Sequence, residues 1–391
     1  MKKSRLMRGL SLNILALGFT SMLTDVSSEM VFTLLPFFMV NVLGLEMALV
    51  GLIEGAAEAT ASLLKVFSGW FSDKINRRKP FAVLGYSLSA VVKPIFGLAT
   101  LPFHILAIRI IDRVGKGIRT SPRDALIANS IQSGFRGKAF GLHRSMDTIG
   151  AVIGPLLAFI LFPIIWYRGV FFASIIPGLL AVILLVFLVK EKKNPKITKR
   201  VSSITTEFKS LPKDFKIYII IVGIFAMSNF SYAFFLLRAG ELGISARFAP
   251  LLYLLFNLVY AIFAFPVGTL ADRVGKKFVL MIGYVMFGVT CIGFAIAFSP
   301  IHAIILFVAY GMFFAIVDTL QRAIVPDIIK VEHRGTAFGA LHMTIGITAF
   351  ISSLLAGTLW QIYGAFVPFI FGAIISIASA ILLSTYTLRK P

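Results

Sequence analysis

"GTLADRVGKK", residues 268–277, echoes "GWFSDKINRR", residues 69–78, at an offset of 199. A second pair, "RGKAFG" at 136–141 and "RGTAFG" at 334–339, matches at an offset of 198. One such match can arise by chance. Two in nearly the same register mark an internal duplication. Each member of the first pair closes one long apolar run and opens the next, so the repeat also says what is repeated: hydrophobic segments joined by short basic turns.

The chain has 391 residues, 58% of them hydrophobic and 14% charged. A soluble domain is about 45–50% apolar and about 25% charged. Runs long enough to cross about 30 Å of hydrocarbon fall at 10–41, 47–71, 80–101, 103–127, 137–163 and 169–189, then at 216–240, 247–271, 277–298, 301–325, 335–362 and 365–388. They predict an all-α polytopic membrane protein with twelve transmembrane helices in two pseudo-symmetric six-helix bundles. The expected division is a first bundle over 1–189, a linker over 190–215 and a second bundle over 216–391.

The net charge of +21 would suggest nucleic acid in a soluble chain. Here its placement explains it better. The termini and alternate loops hold 26 of the 38 Lys and Arg, whereas the opposite loops hold only Arg168, Arg238 and Arg247. Positive charge gathers on the cytoplasmic side. Both termini and the basic 190–214 segment are therefore expected in the cytoplasm, with the chain in the cytoplasmic (inner) cell membrane. The expected partner is the lipid bilayer, not nucleic acid. The signal-like N-terminus shows no small-residue cleavage site and reads as an uncleaved first helix. The lone Cys291 rules out an intramolecular disulfide.

Three motifs carry a resemblance. Gly69, Asp73, Lys74, Arg77 and Arg78 fit a G-x-x-x-D-[RK]-x-G-[RK]-[RK] turn, with Asn76 in place of the second glycine. Gly268, Asp272, Arg273, Gly275, Lys276 and Lys277 fit it more fully. Arg109 with Gly115 matches R-x-x-x-x-x-G, and "GAVIGP" (150–155) supplies Gly150, Gly154 and Pro155 of a G-x-x-x-G-P pattern. Over its whole length the sequence resembles the major facilitator superfamily, and the last motif resembles its exporters. The resemblance implies a central cavity, alternating access and a monomer. Its turn motifs imply gating: glycine permits close helix approach, and Asp73 or Asp272 can meet a helix N-terminus in one state and release it in another. The plainer alternative is a simple basic turn.

Charges inside the spans are the remaining signal. In "TDVSSEM" (24–30), Asp25 and Glu29 lie one helical turn apart near the middle of the first span. Glu54 and Glu58 form a second such pair. On a helix at about 100° per residue, Arg109, Asp112, Arg113, Lys116, Arg119 and Arg123 share one face. Burying each alone in lipid would cost roughly 2.5–3.5 kcal/mol, so the stripe is expected to face protein or water. Asp318 and Arg322 form an i,i+4 pair. The second half offers Asn229, Tyr232, Tyr253, Asn257 and Tyr260 among many Phe. Structural ion pairing and interhelical hydrogen bonds are the bland reading of all of these. The sharper one makes Asp25 and Glu29 the first candidates for proton coupling, because two carboxylates so close in low dielectric resist ionising together. Glu54 and Glu58 are the second pair, and Arg109, Asp112, Arg113, Lys116, Asn229, Tyr232, Tyr253, Asn257, Asp318 and Arg322 become cavity candidates.

No H-E-x-x-H, G-x-S-x-G or P-loop occurs, and the five histidines are scattered, so no enzyme, cofactor or metal site is expected. The expected function is secondary active transport of a small organic solute, by proton-coupled efflux. The alternatives are a coupled importer of an organic anion, such as a polycarboxylate or phosphorylated metabolite, and a non-transporting membrane receptor.

Overall fold

Proline and short polar turns punctuate the chain, and the helices begin and end where they occur. The computed structural model describes residues 11–75, 77–130, 136–191, 211–329 and 334–386. Among them the regular structure is helical. Helix α1 spans Leu12–Phe32 and runs on through Leu35–Phe37 and a π-turn at Phe38–Val42; α2 is Met47–Ile75. Helix α3 is Lys79–Val92, and Pro94, which lacks an N–H, accompanies its tightening into a 3-10 turn over Lys93–Leu98. Next come α4, Pro102–Asn129, α5, Arg136–Ala173, and α6, Ile175–Leu188. The second half holds α7, Lys213–Ser228, α8, Tyr232–Glu241, α9, Ala249–Val274, and α10, Lys276–Ile296. It ends with α11, Pro300–Ile328, α12, Arg334–Tyr363, and α13, Phe366–Thr385. Proline in the first turn starts α3, α4, α9 and α11, where its missing N–H costs nothing.

Among the described residues, ten stretches are long and apolar enough to cross a membrane. The twelve expected spans reduce to ten for two physical reasons. Helix α4 carries too many charges to qualify by apolarity. The stretch Ala139–Leu188 is continuous at 50 residues, yet it turns at Trp166, whose φ of 55° and ψ of −174° are not helical. It therefore holds the fifth and sixth spans. Helices α7 and α8 share one span, broken at Asn229–Ser231, where Ser231 caps α8 by accepting from the Ala233 N–H.

The chain packs as two compact units, residues 1–35 with 63–201, and residues 36–62 with 202–391. By packing, then, residues 36–62, expected in the first half, go with the second unit. In the first unit α1 lies along α5 and α6, and α3 along α4. The α3–α4 contact is backbone-close. A Cβ on Gly85 would come 2.5 Å from the Gly115 carbonyl, and one on Gly115 would come 2.7 Å from both the Gly85 carbonyl and Ser89 Oγ. Gly115, picked out beside Arg109, is thus where the two helices touch. The second unit is built on aromatic rings: Phe225 stacks on Tyr284 at 3.8 Å, Phe235 on Tyr310 at 4.4 Å, and Phe287 lies 4.4 Å from Phe313. Its helices also meet through small residues, with Gly51 against the Ser353 carbonyl and Gly357 against the Met47 carbonyl.

The two turn motifs differ. Close approach is real at Gly69, where an added Cβ would lie 3.2 Å from Ser121 Cβ. Among the described residues nothing lies within 4 Å of a Cβ placed on Gly268, so no close approach requires that glycine there. Gly275 ends α9 at φ 103°, a conformation glycine adopts without steric cost. Its counterpart Asn76 lies outside the described residues.

Gly115→Val should lower stability by about 1–3 kcal/mol through overpacking. Gly268→Ala should be neutral, or stabilising by up to about 1 kcal/mol. Thermal unfolding of the two purified variants in detergent checks the contrast, and an unchanged Tm in Gly115→Val would remove close packing from the α3–α4 contact.

Candidate functional site

The "TDVSSEM" turn of α1 lies against the glycines of "GAVIGP" on α5. A Cβ on Gly150 would stand 2.4 Å from the Met22 carbonyl and 3.0 Å from Asp25 Cβ, and one on Gly154 would stand 2.8 Å from Glu29 Cβ. The two glycines let α5 reach the backbone of α1 at the turn that carries both acids. Pro155 is buried beside them. Ser27, on the same turn, donates to the Ser174 carbonyl at 2.7 Å. Asp25 and Glu29 are half-buried. The charged groups within electrostatic reach of Asp25 are Asp147, Glu29, Lys116 and Arg119. Asp147 itself lies 3.4 Å from the His143 ring, one turn earlier on α5.

Helix α4 supplies the cations. Arg109, Asp112, Arg113 and Arg119 are buried and Lys116 is half-buried. The guanidinium of Arg109 sits 3.9 Å over the ring of Phe32, and that of Arg113 lies 5.0 Å from the same ring. Such contacts are worth roughly 2 kcal/mol when desolvated. Arg113 Nε is also 3.9 Å from Asp112. Further along, Arg119 donates to Ser89 Oγ at 2.6 Å and lies over Tyr86. Arg123 bonds Asp124 at 2.8 Å and Ser21 at 3.1 Å. The stripe is thus largely engaged within its own unit.

The group that joins acids to stripe is Lys93, which the sequence reading passed over. It is fully buried, at the joint between α3 and its 3-10 extension. Its ammonium donates to Ser28 Oγ at 3.1 Å and to the Thr24 carbonyl at 3.3 Å, both on the acid-bearing turn of α1. Asp112, Arg119, Asp25 and Glu29 are its charged neighbours. The signal was present: a lysine inside an apolar span, "SAVVKPIFGL", is itself a reason to expect function.

The second unit places its candidates differently. Glu54 is buried and accepts from Ser231 Oγ at 3.3 Å, at the break between α7 and α8, with Glu58 one turn further on. Asn229 lies in that break. Tyr232 and Tyr253 pack at 5.1 Å, and Asn257 spends one amide hydrogen on the Tyr253 carbonyl of its own helix at 2.9 Å. Tyr260 donates to Asp318 at 3.0 Å, and Arg322 bonds the other oxygen of Asp318 at 2.5 Å. The i,i+4 pair read from sequence is therefore formed. Among the turn residues, Arg77 is exposed, the Arg78 N–H bonds Glu191, and Asp272 and Arg273 are exposed at the end of α9. The side chain of Asp73 lies outside the described residues.

Lys93→Met should cost about 3–5 kcal/mol, because it removes a buried cation from among the buried Asp112 and the half-buried Asp25 and Glu29. Adding Asp112→Asn should recover part of that loss, so that the two changes are not additive. Thermal unfolding of the single and double variants measures the coupling, and strict additivity would separate Lys93 from Asp112.

The chain matches the model of the Major Facilitator Superfamily over residues 17–238 and 217–391. It is 40% identical to an uncharacterised MFS-type transporter of Methanocaldococcus jannaschii, across 96% of this chain and 95% of that one. The multidrug resistance protein MdtH of Photorhabdus laumondii is 30% identical over a shorter stretch, 36% of this chain and 34% of that one. The crystal structure of the nucleoside transporter NupG superposes with a TM-score of 0.79 at 16% identity, covering 97% of this chain and 100% of that one. At that identity the last likeness speaks for the fold alone. With both halves of the chain matched and one relative similar from end to end, the chain belongs to the major facilitator superfamily of membrane transporters.

Proposed function

We propose that this transporter couples the movement of a small organic solute to protons, with Asp25 as the proton site and Glu29 as its partner. One observation carries the reading: two half-buried carboxylates on one turn of α1, held by close glycine packing and bordered by the buried ammonium of Lys93. Two acids in that setting repel each other and attract the same cation. A proton taken up by one frees Lys93 for the other, and a proton released restores the three-way competition. A cluster of this kind offers one arrangement for each protonation state, and a proton-coupled cycle needs both.

Efflux is the proposed direction. The exporter-like glycines 150 and 154 lie against the acid pair, and the stretch of similarity to a multidrug resistance protein points the same way. Import of an organic anion is disfavoured by the state of the cations. Lys93, Arg113 and Arg119 each have protein partners in place, so a solute anion would have to displace them. Glu54, beside Ser231, is the second proton candidate. Asp73 and Asp272 set the balance of conformations, the protein works as a monomer, and both termini face the cytoplasm.

Asp25→Asn fixes the neutral state of that side chain. In proteoliposomes it should abolish pH-driven solute accumulation while leaving solute exchange without a pH gradient intact. Full pH-driven transport by the variant would end the proposal, and loss of both activities together with a fall in Tm would make Asp25 a structural partner only.

A further inference from the structure

The basic end of the first unit carries a site that lies apart from the charge cluster. There the first turns of α3, as far as Ser87, and the last turn of α6 wall a cavity of about 640 Å³. Its rim is Arg77 and Lys79, and its floor is Val83, Leu84 and Val186. Leu84 is 55% and Val186 39% exposed, so the floor opens sideways, off the outside of the helices. Glu191 also lines it.

Two reciprocal caps set the electrostatics of this cavity. The Glu191 carboxylate accepts from the backbone N–H groups of Arg78 at 2.6 Å and Lys79 at 3.0 Å, at the N-terminus of α3. Its charge faces the backbone N–H groups that open that helix and the positive end of its dipole. The Lys79 ammonium donates to the Val186 carbonyl at 2.8 Å, at the C-terminus of α6, and keeps two further N–H donors. Asn13 braces the same place by bonding both the N–H and the carbonyl of Lys190, at 2.9 and 2.6 Å. Both oxygens of the acid in the wall are therefore held by backbone N–H groups and turned to the helix end, while both cations of the rim remain able to meet an anion.

We infer that this cavity holds an anionic phospholipid of the adjoining leaflet, its phosphate at Arg77 and Lys79 and its upper acyl chain along Val83, Leu84 and Val186. A rim of fixed cations above an apolar floor fits a ligand that is anionic at one end and hydrocarbon at the other. Basic pockets between helices at the membrane border take such headgroups. A free phosphate would leave the floor empty, and a neutral lipid would leave the rim unmatched. The lipid, once seated, bridges α3 and α6 beside the turn at 69–78.

The test is native mass spectrometry of the full-length protein with phosphatidylglycerol, phosphatidylcholine or inorganic phosphate added. The native chain should retain phosphatidylglycerol in preference to phosphatidylcholine, less so at high salt. Arg77→Gln should weaken retention of phosphatidylglycerol about fivefold. Val186→Trp, which fills the floor and leaves every charge in place, should abolish it. A large excess of inorganic phosphate should not displace the lipid. Equal retention of the two lipids, unchanged binding in Arg77→Gln or in a folded Val186→Trp, or displacement by phosphate would each overturn the assignment. Arg77 is exposed, so its variant decides the matter even if Val186→Trp does not fold.

Discussion

An ammonium ion buried among helices must be matched by nearby oxygens, and the first unit is arranged around that requirement. Lys93 is placed by the α3 joint at Pro94, and its partners are Ser28 and the Thr24 carbonyl on α1. Those partners sit on the turn that bears Asp25 and Glu29. The turn in turn is reached by α5 because residues 150 and 154 are glycine. On the far side α4 approaches α3 through Gly85 and Gly115 and brings Asp112 and the arginines into range. Two close helix contacts thus serve one electrostatic balance, and a larger side chain at either of them would pull the charges apart.

The second unit solves a different problem. It has few internal charges, so its helices are held by rings and small residues, from Phe225 on Tyr284 to Gly51 on Ser353. Packing of this kind supplies most of the attraction between helices in lipid, where apolar burial from water does not. Its polar groups are tied locally: Asn257 to its own helix, Asp318 to Arg322 and Tyr260.

Much of this was legible in the sequence because membrane helices obey simple periodicities. The spans follow from apolar runs, the duplication from two matched pairs, and the common face of Arg109, Asp112 and Arg113 from the turn of a helix. The local pair Asp318–Arg322 follows from spacing alone. The rest depends on contacts between distant segments. Nothing near Lys93 says that Ser28 receives it, and nothing near Glu54 points to Ser231, 177 residues away. The turn at Trp166 has no glycine at its centre to announce it. Gly268 is the opposite case: it fits the motif, yet among the described residues no close contact requires a glycine there.

Proton release on solute binding is the most direct measurement of the coupling proposed for Asp25. A solute identified by thermal-shift screening would be added to the purified protein in weakly buffered detergent, and the pH change recorded. Coupling through Asp25 predicts that the native chain releases protons as solute binds and that Asp25→Asn binds without release. Equal release from both proteins, or solute binding to the native chain with no release, would contradict it.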